Sequence, residues 1–470
     1  MTFYGLCITL YNCAMSRLAA NITLVFILLA YLALGTAYAL QTPTWQAPDE
    51  PAHYNYIQFI VKEQALPVLD AGEYDQAYNE EFTRTPQNTA SLSIDPLRYE
   101  DYAPPLYYLL AAPIYALTDG WITALRLCSV VLGGALVVVA YLIGAETYSN
   151  QMIFALGGAA FVAFVPQHLA MMSAINNDAL AELLIALTVL QAMRLFRSPT
   201  VSKRSLIGLG VTLGLGLLTK ATFYYTAVPI ACIALILHSR RYVLRFTSYV
   251  LVFIPALLIG SIWWLRNLMV YGGFDMLGLA RHNAVVVGQP ITAQWLIDYG
   301  AGGLLQRFFT TTYRSFWGQF GWMSTPMPDR EYLLLGGLCA AALIGWIWWV
   351  VTRRKMQDAS AKVSYGGLLL SLWVALTVGG YLYYNVTFVQ HQGRYLFPAL
   401  IPIGLAFAIG WWQVLDKIKQ LIVRLLARST RDWSPWLDQA QLIVFALIFI
   451  YLARLDLVAL QRYIIPNLAA

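Results

Sequence analysis

The chain has 470 residues, of which 59% are hydrophobic and 11% are charged, and its formal net charge at pH 7 is +6. A soluble domain carries about a quarter charged residues. This composition therefore excludes a soluble globular protein and predicts an all-α polytopic membrane protein, with residues 1–470 forming a single membrane domain.

Apolar runs long enough to cross a bilayer recur along the chain, and we expect about eleven transmembrane helices. They lie near residues 20–40, 123–145, 151–172, 178–196, 205–219, 222–238, 244–265, 332–352, 364–384, 395–415 and 439–459. The first run begins too late and is too long for a cleaved signal peptide, so we expect it to be retained.

Lys and Arg concentrate in alternate loops, near residues 194–204, 240–245, 353–362 and 417–431. Cytoplasmic loops carry such an excess. We therefore expect an inner (plasma) membrane protein with a cytoplasmic N-terminus, whose two long loops, 41–120 and 266–331, lie on the outer face. Because the cationic residues follow this topology, the sequence gives no support for nucleic-acid binding.

The first outer loop opens with the stretch TWQAPDEPAHYNY, residues 44–56, which places Asp49, Glu50 and His53 directly after a span. Segments 54–67 and 104–117 have the apolar and aromatic content of helices that lie in the membrane interface. One of two neighbouring carboxyls near lipid is expected to have a raised pKa, which suits a general base. The alternative is that both carboxylates cap the helix that begins near Pro51.

A second polar group is expected where the chain re-enters the membrane, in the stretch HQGRYLFP. Arg394 is costly there unless it meets an anion or a carboxylate. A phosphate fits its planar guanidinium, and a salt bridge to an outer carboxylate is the alternative. Lys220 and Arg266, at outer helix ends, either join Arg394 in a basic pocket or extend towards the interface.

The stretch SAINNDALAE, residues 173–182, contributes Asn176, Asn177 and Asp178, which either bind substrate or form a turn that caps the fourth span. Glu182 lies inside an apolar span and is expected to face the protein interior. The five cysteines, which show no CxxC spacing, predict neither a disulfide framework nor a zinc site. No P-loop, GxSxG or HExxH motif is present.

A first span that ends in PDEPAHY, the segment PPLYYLLAAPIYAL before the second span, and a late QGRYLFP together resemble the GT-C superfamily of integral-membrane glycosyltransferases. Within it, the pattern is most similar to the DUF2142-type bacterial membrane proteins, which are related to the aminoarabinose and protein mannosyl transferases. The resemblance covers most of the chain. It implies a GT-C fold and a cell-envelope enzyme that transfers a sugar from a polyprenyl-phosphate donor, such as undecaprenyl phosphate, to a hydroxyl on the outer face.

The resemblance also implies roles for individual residues. Asp49 is the expected general base, and Glu50 is the neighbour that replaces or assists it. The other expected site residues are, for the donor phosphate, Arg394, His391, Lys220 and Arg266, and, for the substrate, His53, Tyr56, Asn177, Asp178 and Tyr395. No cofactor is implied with certainty, because some relatives use a divalent metal such as Mg²⁺ or Mn²⁺ and others do not. Any metal would be held by Asp49, Glu50 and His53.

The expected acceptor is a glycan, a lipid or a protein. A WWDYG-like motif is absent, which argues against glycosylation of asparagine. Two other functions stay open: a transporter or flippase for lipid-linked glycans, to which many spans and Glu182 are suited, and a glycan ligase or polymerase. Against transport, the polar residues lie mostly on one face and no repeated half is visible.

Overall fold

The fold is almost entirely helical in a computed structural model that describes residues 16–197, 200–242, 246–356, 365–426 and 432–469. The helices of the first part of the chain are α1 (Arg17–Gln41), α2 (Glu50–Glu63), α3 (Gln76–Arg84), α4 (Pro86–Ser91), α5 (Leu106–Thr118), α6 (Ile122–Thr147), α7 (Met152–Phe164), α8 (Pro166–Met172) and α9 (Asp178–Arg197). Cys7, Cys13 and parts of the predicted cytoplasmic loops lie outside the described residues.

The remaining helices are α10 (Lys203–Leu217), α11 (Ala221–Tyr242), α12 (Phe246–Tyr271), α13 (Leu279–Val285), α14 (Thr292–Trp317), α15 (Asp329–Met356), α16 (Tyr365–Thr387), α17 (Leu400–Leu425), α18 (Ser434–Val458) and α19 (Ile465–Leu468). A 3₁₀ turn, Gly393–Ala399, leads into α17, and a π-helical turn, Ala459–Ile464, joins α18 to α19. Strands β1 (Gln319–Phe320) and β2 (Thr325–Pro326) form a short antiparallel hairpin with Gln319 opposite Pro326.

All eleven predicted spans coincide with helices, but fewer qualify as spans by length and composition. Among the described residues, eight helices are long and apolar enough to cross a membrane, or nine if α7 and α8, bent by 66°, count as one broken span. The two others are α9, which carries charged residues along its length, and α10, which has only 15 residues. The prediction of a polytopic helical membrane protein is confirmed, and the predicted number of spans is larger than the number found.

The two long loops contain more regular structure than the sequence suggested. Helices α2 and α5 cover most of segments 54–67 and 104–117, but α2 already begins at Glu50 and ends at Glu63, before residues 64–67. In the second loop, α14 is a helix of 26 residues with a kink at Gly300, where φ is +66°. Only glycine adopts this conformation without steric cost. With α13, the loop between α12 and α15 is thus largely helical, which the residue pattern did not predict.

Close backbone contacts hold the bundle together where glycines meet. A Cβ on Gly345 of α15 would overlap the carbonyl oxygen of Gly410 of α17, and one on Gly410 would overlap that of Ala342. Small residues let two helix backbones approach closely, which is a common basis of helix packing in membranes. Gly393 allows a similarly close approach, because it lets the 3₁₀ turn lie directly against the backbone of α14.

Candidate active site

Asp49 lies in a strained backbone conformation immediately before α2. Its φ is +66° and its side chain makes no capping hydrogen bond, although it occupies the N-cap position. Its carboxylate instead accepts a hydrogen bond from the Tyr99 hydroxyl at 3.1 Å and pairs with Arg394, whose Nη2 lies 2.8 Å from Oδ2. Helix capping therefore does not explain the side chain of Asp49. A non-glycine residue held at positive φ is a feature often found at functional sites.

The charge of Asp49 is fixed by its surroundings. Burial alone would raise the pKa of Asp49, but the positive charges of Arg394 and Lys220 outweigh it and hold the pKa below its usual value. Asp49 is therefore ionised at neutral pH. The raised pKa that the sequence led us to expect for one of the two neighbouring carboxyls does not fall on this residue.

Glu50 points away from Asp49 and is fully buried. Both of its oxygens lie 2.7 Å from the Arg126 guanidinium, and Oε1 also accepts a hydrogen bond from the Ile175 amide at 3.2 Å. Arg126 further donates to the carbonyl of Thr42 at 2.7 Å. Consecutive residues on a helix project about 100° apart, at 3.6 residues per turn. Glu50 thus holds the end of α1, the start of α2 and helix α6 together, and this geometry favours a positioning role over a catalytic one.

Arg394 lies in the 3₁₀ turn before α17, with its side chain 12% exposed. Its Nε has no hydrogen-bond partner within the described residues, and its guanidinium lies 5.4 Å from the centre of the Tyr395 ring. The salt bridge that the sequence left open as an alternative is present, with Asp49 as the partner. One terminal nitrogen of the guanidinium is thus paired with Asp49, and the buried Nε has no partner among the described residues.

Lys220 and Asp178 form a second ion pair close to the first. The Lys220 Nζ lies 2.7 Å from Asp178 Oδ1, and the Asp178 amide donates to the Asn176 side chain at 2.8 Å. The Asn177 side chain, fully buried, donates to the Tyr108 hydroxyl at 3.2 Å. Electrostatic interactions connect Lys220 with Asp49. Residues from four distant segments of the chain are therefore brought into one charged cluster.

His53 and Tyr56 line the cluster from α2. His53 Nδ1 lies 2.9 Å from the Tyr108 hydroxyl, and burial lowers the pKa of His53 to about 3 although Asp49 opposes this shift. His53 is therefore a neutral imidazole at physiological pH. The Tyr56 hydroxyl donates to the Ala103 carbonyl at 3.0 Å and its ring stacks on Tyr108 at 3.7 Å. These contacts make Tyr56 a packing residue of the site wall.

Two predicted phosphate ligands make other contacts. The His391 ring lies edge-on to Trp295 and Phe308, with centroids 5.5 and 5.2 Å apart. Arg266 donates to the Pro67 carbonyl and to Asn267, and lies over the Trp263 ring at 4.7 Å. Among the described residues, neither contacts Asp49 or Arg394. Of the four predicted phosphate ligands, Arg394 and Lys220 lie in the charged cluster.

Two residues of the cluster were not singled out from the sequence. Tyr99 donates to Asp49, as described above. Glu100, the next residue, is partly buried, and burial raises the pKa of Glu100 to about 7, with Lys220 opposing and Asp49 adding to the shift. The ion pair between Arg126 and Glu50 could have been suspected from the sequence. Arg126 is an isolated cation inside an apolar span, and such residues need an anionic or polar partner.

The residues proposed for a metal do not converge. Glu50 is turned towards Arg126, and His53 is bonded to Tyr108. No group of three or more His, Cys, Asp or Glu side chains that could hold a metal ion occurs among the residues that the structure describes. Asp49, Glu50 and His53 therefore do not form the predicted metal centre in this structure.

The fold is that of an all-helical integral membrane protein, and it brings a charged cluster together. The model of the family described as "Predicted membrane protein (DUF2142)" matches residues 71–402, which is more than half of the chain. The protein therefore belongs to that family. The predicted resemblance is thereby confirmed. No curated protein matches the chain.

Solved structures of other membrane proteins are similar in fold to this chain. An oligosaccharyltransferase from Archaeoglobus fulgidus, tethered to an acceptor peptide with the NVT sequon, is 11% identical with a TM-score of 0.53, over 95% of this chain and 56% of that one. The archaeal oligosaccharyltransferase AglB from the same organism, in complex with an inhibitory peptide and a dolichol-phosphate, is 13% identical with a TM-score of 0.50, over 92% and 55%. This chain spans about half the length of these enzymes.

A further similar structure is ArnT from Cupriavidus metallidurans bound to undecaprenyl phosphate. It is 12% identical with a TM-score of 0.48, over 95% of this chain and 74% of that one. At these identities, the likeness to solved structures concerns the fold alone.

Proposed function

We propose that this protein is a glycosyltransferase that moves a sugar from a polyprenyl-phosphate-linked donor to a hydroxyl acceptor. The observation that carries the proposal is the cluster in which Asp49 pairs with Arg394 and Asp178 pairs with Lys220. Transfer from a lipid phosphate needs a carboxylate near the attacking hydroxyl and cations near the leaving phosphate. The archaeal structure with bound dolichol-phosphate shows that a protein of similar fold binds a lipid phosphate.

In the proposed reaction, the acceptor oxygen attacks the anomeric carbon of the sugar. The acceptor O–H bond breaks and its proton passes to a carboxylate, for which Asp49 is the residue predicted from the sequence. The bond between the anomeric carbon and the phosphate oxygen breaks, and the electron pair stays on the polyprenyl phosphate. Arg394 and Lys220 receive this negative charge, and the neutral His53 adds a hydrogen-bonding group without a competing charge.

Donor binding and the charge of Asp49 are coupled in this scheme. A phosphate that binds Arg394 competes with Asp49 for the same guanidinium, because Nη2 is already paired with Oδ2 at 2.8 Å. Since Arg394 is a cause of the lowered pKa of Asp49, its loss as a partner makes Asp49 a stronger base. Donor binding would thus raise the basicity of Asp49, the carboxylate that accepts the proton.

We further propose that the cluster lies on the outer face of the inner membrane, with the N-terminus in the cytoplasm. The distribution of Lys and Arg among the loops supports this orientation. A donor that carries its own activated phosphate is consistent with the absence of a P-loop from the sequence. Residues 41–120 and 266–331 would form the outer layer of a single membrane domain.

A lipid-linked glycan flippase or transporter is the second candidate, and one observation favours it. Inside the bundle, His168 Nε2 lies 3.1 Å from Glu182 Oε2, and both side chains are buried. Ionisable pairs within a membrane often mark a transport path. A glycan ligase or polymerase uses the same phosphate chemistry and differs in its acceptor.

The proposal is tested with the purified protein in proteoliposomes. Radiolabelled undecaprenyl-phosphate hexoses are supplied with cell-envelope extract as the source of acceptors, and label is followed into material that is no longer lipid-linked. We expect transfer by the native protein and little or none by Arg394→Ala. Movement of the intact labelled donor across the bilayer without transfer would instead support the flippase.

A further inference from the structure

The charged cluster contains more carboxyls than cations. Arg394 neutralises Asp49 and Lys220 neutralises Asp178, at 2.8 and 2.7 Å. The third carboxyl is Glu100, whose side chain makes no hydrogen bond or ion pair to any residue that the structure describes. Partial burial of a carboxyl without a hydrogen-bonding partner costs free energy, because the ionised form loses part of its hydration.

The segment around Glu100 is built to hold it in place. Arg98 pairs with Asp101 at 2.7 Å and with Glu73 at 2.9 Å, while Tyr99 donates to Asp49. The Asp101 amide donates to the Arg98 carbonyl at 3.0 Å, which closes a turn around Tyr99 and Glu100. The Glu100 carbonyl also accepts a hydrogen bond from the Ala103 amide at 2.8 Å. The backbone around Glu100 is therefore anchored, whereas its carboxyl makes no hydrogen bond to a residue that the structure describes.

The surroundings of Glu100 come from five parts of the chain. The charged and titratable groups in electrostatic contact with it are Asp49, Tyr56, Tyr99, Tyr102, Tyr108, Asp178, Lys220, Tyr384 and Arg394. Both cations of the cluster and both paired carboxylates are among them. Glu100 thus belongs to the same site as the proposed phosphate ligands.

We propose that Glu100 is a further catalytic residue of the transfer reaction, a second general base that takes the proton of the acceptor hydroxyl while Asp49 stays ionised. This inference rests on the proposed function. The acceptor O–H bond breaks and its proton moves to a Glu100 oxygen as the acceptor oxygen bonds to the anomeric carbon. The electron pair of the broken carbon–oxygen bond leaves with the polyprenyl phosphate, whose charge Lys220 and Arg394 share.

The two carboxyls are suited to different tasks. Asp49 is held ionised, which stabilises positive charge that develops at the anomeric carbon. Burial brings the pKa of Glu100 to about 7, and a base is most effective when its pKa lies near the working pH. Two carboxyls whose environments push their pKa values apart are a common way to divide such roles.

The pH dependence follows from the direction of this shift. Below about pH 7, Glu100 is protonated and cannot accept a proton; above it, Glu100 is ionised and active. The kcat/KM for transfer is therefore expected to rise with pH through this value. His53 does not contribute, because its pKa is about 3.

The experiment measures release of undecaprenyl phosphate from undecaprenyl-phosphate hexoses between about pH 5.5 and 8.5. This range covers both sides of the pKa of Glu100, which is about 7. We expect Glu100→Gln to lower kcat/KM at high pH by about 10²–10⁴-fold, the usual contribution of a general base, and to remove the rise near neutral pH. Glu63→Gln, an exposed carboxyl of the same outer loop, is the matched control and should retain the native profile.

Binding of undecaprenyl phosphate separates a catalytic role from a folding defect. Glu100→Gln is expected to bind it within about twofold of the native protein, as expected for a residue outside the phosphate contacts. A native rate and pH profile in Glu100→Gln would overturn the inference and leave Asp49 as the sole base. Failure of the native protein to release undecaprenyl phosphate from any donor would instead overturn the proposed function itself.

Discussion

The ion pair between Asp49 and Arg394 makes opposite predictions for its two members. If the donor phosphate competes with Asp49 for Arg394, removal of the carboxylate charge in Asp49→Asn should tighten binding of undecaprenyl phosphate. Removal of the cation in Arg394→Ala should weaken it. A pair that only supports the fold would give a loss in both variants.

The magnitude follows from the geometry of the pair. Its closest atoms are 2.8 Å apart, and its side chains are 12% and 25% exposed. A hydrogen bond to a charged group contributes about 1.5–3 kcal/mol, and the amide of Asn retains part of the contact, so Asp49→Asn should gain about 1–2 kcal/mol. Each 1.4 kcal/mol is tenfold, so the dissociation constant should fall by about 5- to 30-fold. Arg394→Ala should lose about 2–3 kcal/mol, or about 30- to 150-fold.

The assay is titration of undecaprenyl phosphate into each variant in nanodiscs, followed by calorimetry or by tryptophan fluorescence. Asp95→Asn, an exposed carboxyl of the same outer loop, is the control for a simple change in net charge and should bind as the native protein does. Weaker binding by Asp49→Asn, with the fold intact by circular dichroism, would refute the exchange of partners at Arg394.

Three further variants test the supporting structure. Glu50→Gln should destabilise the protein by about 3–5 kcal/mol, because it leaves Arg126 buried without its counter-charge, and a lower thermal unfolding temperature in detergent checks this; a Tm within error of the native value would contradict it. Gly393→Ala should push the turn that carries Arg394 away from α14, at a cost of about 1–3 kcal/mol, and undecaprenyl phosphate affinity should fall; native affinity would mean that the turn position does not matter. Lys220→Ala should weaken the same affinity, but less than Arg394→Ala, because the Lys ammonium is a point charge without the bidentate geometry of Arg. An equal or larger loss would make Lys220 the main phosphate ligand.

The sequence predicted those parts of the fold that depend on local composition. Apolar runs mark the helices, and the motifs around Asp49 and Arg394 carry the resemblance to the GT-C superfamily. The length criterion explains the difference in span number, since α10 is too short and α9 is interrupted by charges. Helix α14 was missed because kinked, partly polar segments give a weak periodic signal.

The contacts within the site depend on which distant segments meet. Asp49 and Arg394 were both chosen from local sequence, but their pairing follows from the packing of the turn before α17 against the first loop. Glu50 was grouped with Asp49 because the two are neighbours, whereas its side chain is directed to Arg126. Glu100 could not be distinguished from other acidic residues of the loop, because its raised pKa results from burial.

The most direct test of the central claim is release of undecaprenyl phosphate by the native protein and by Asp49→Asn, with and without EDTA. Undecaprenyl-phosphate hexoses and a cell-envelope extract as acceptor are supplied to both. We predict release by the native protein, with or without EDTA, and a loss of release in Asp49→Asn that still binds undecaprenyl phosphate. Native release by a folded Asp49→Asn protein, or no release from any donor by the native protein, would contradict the account.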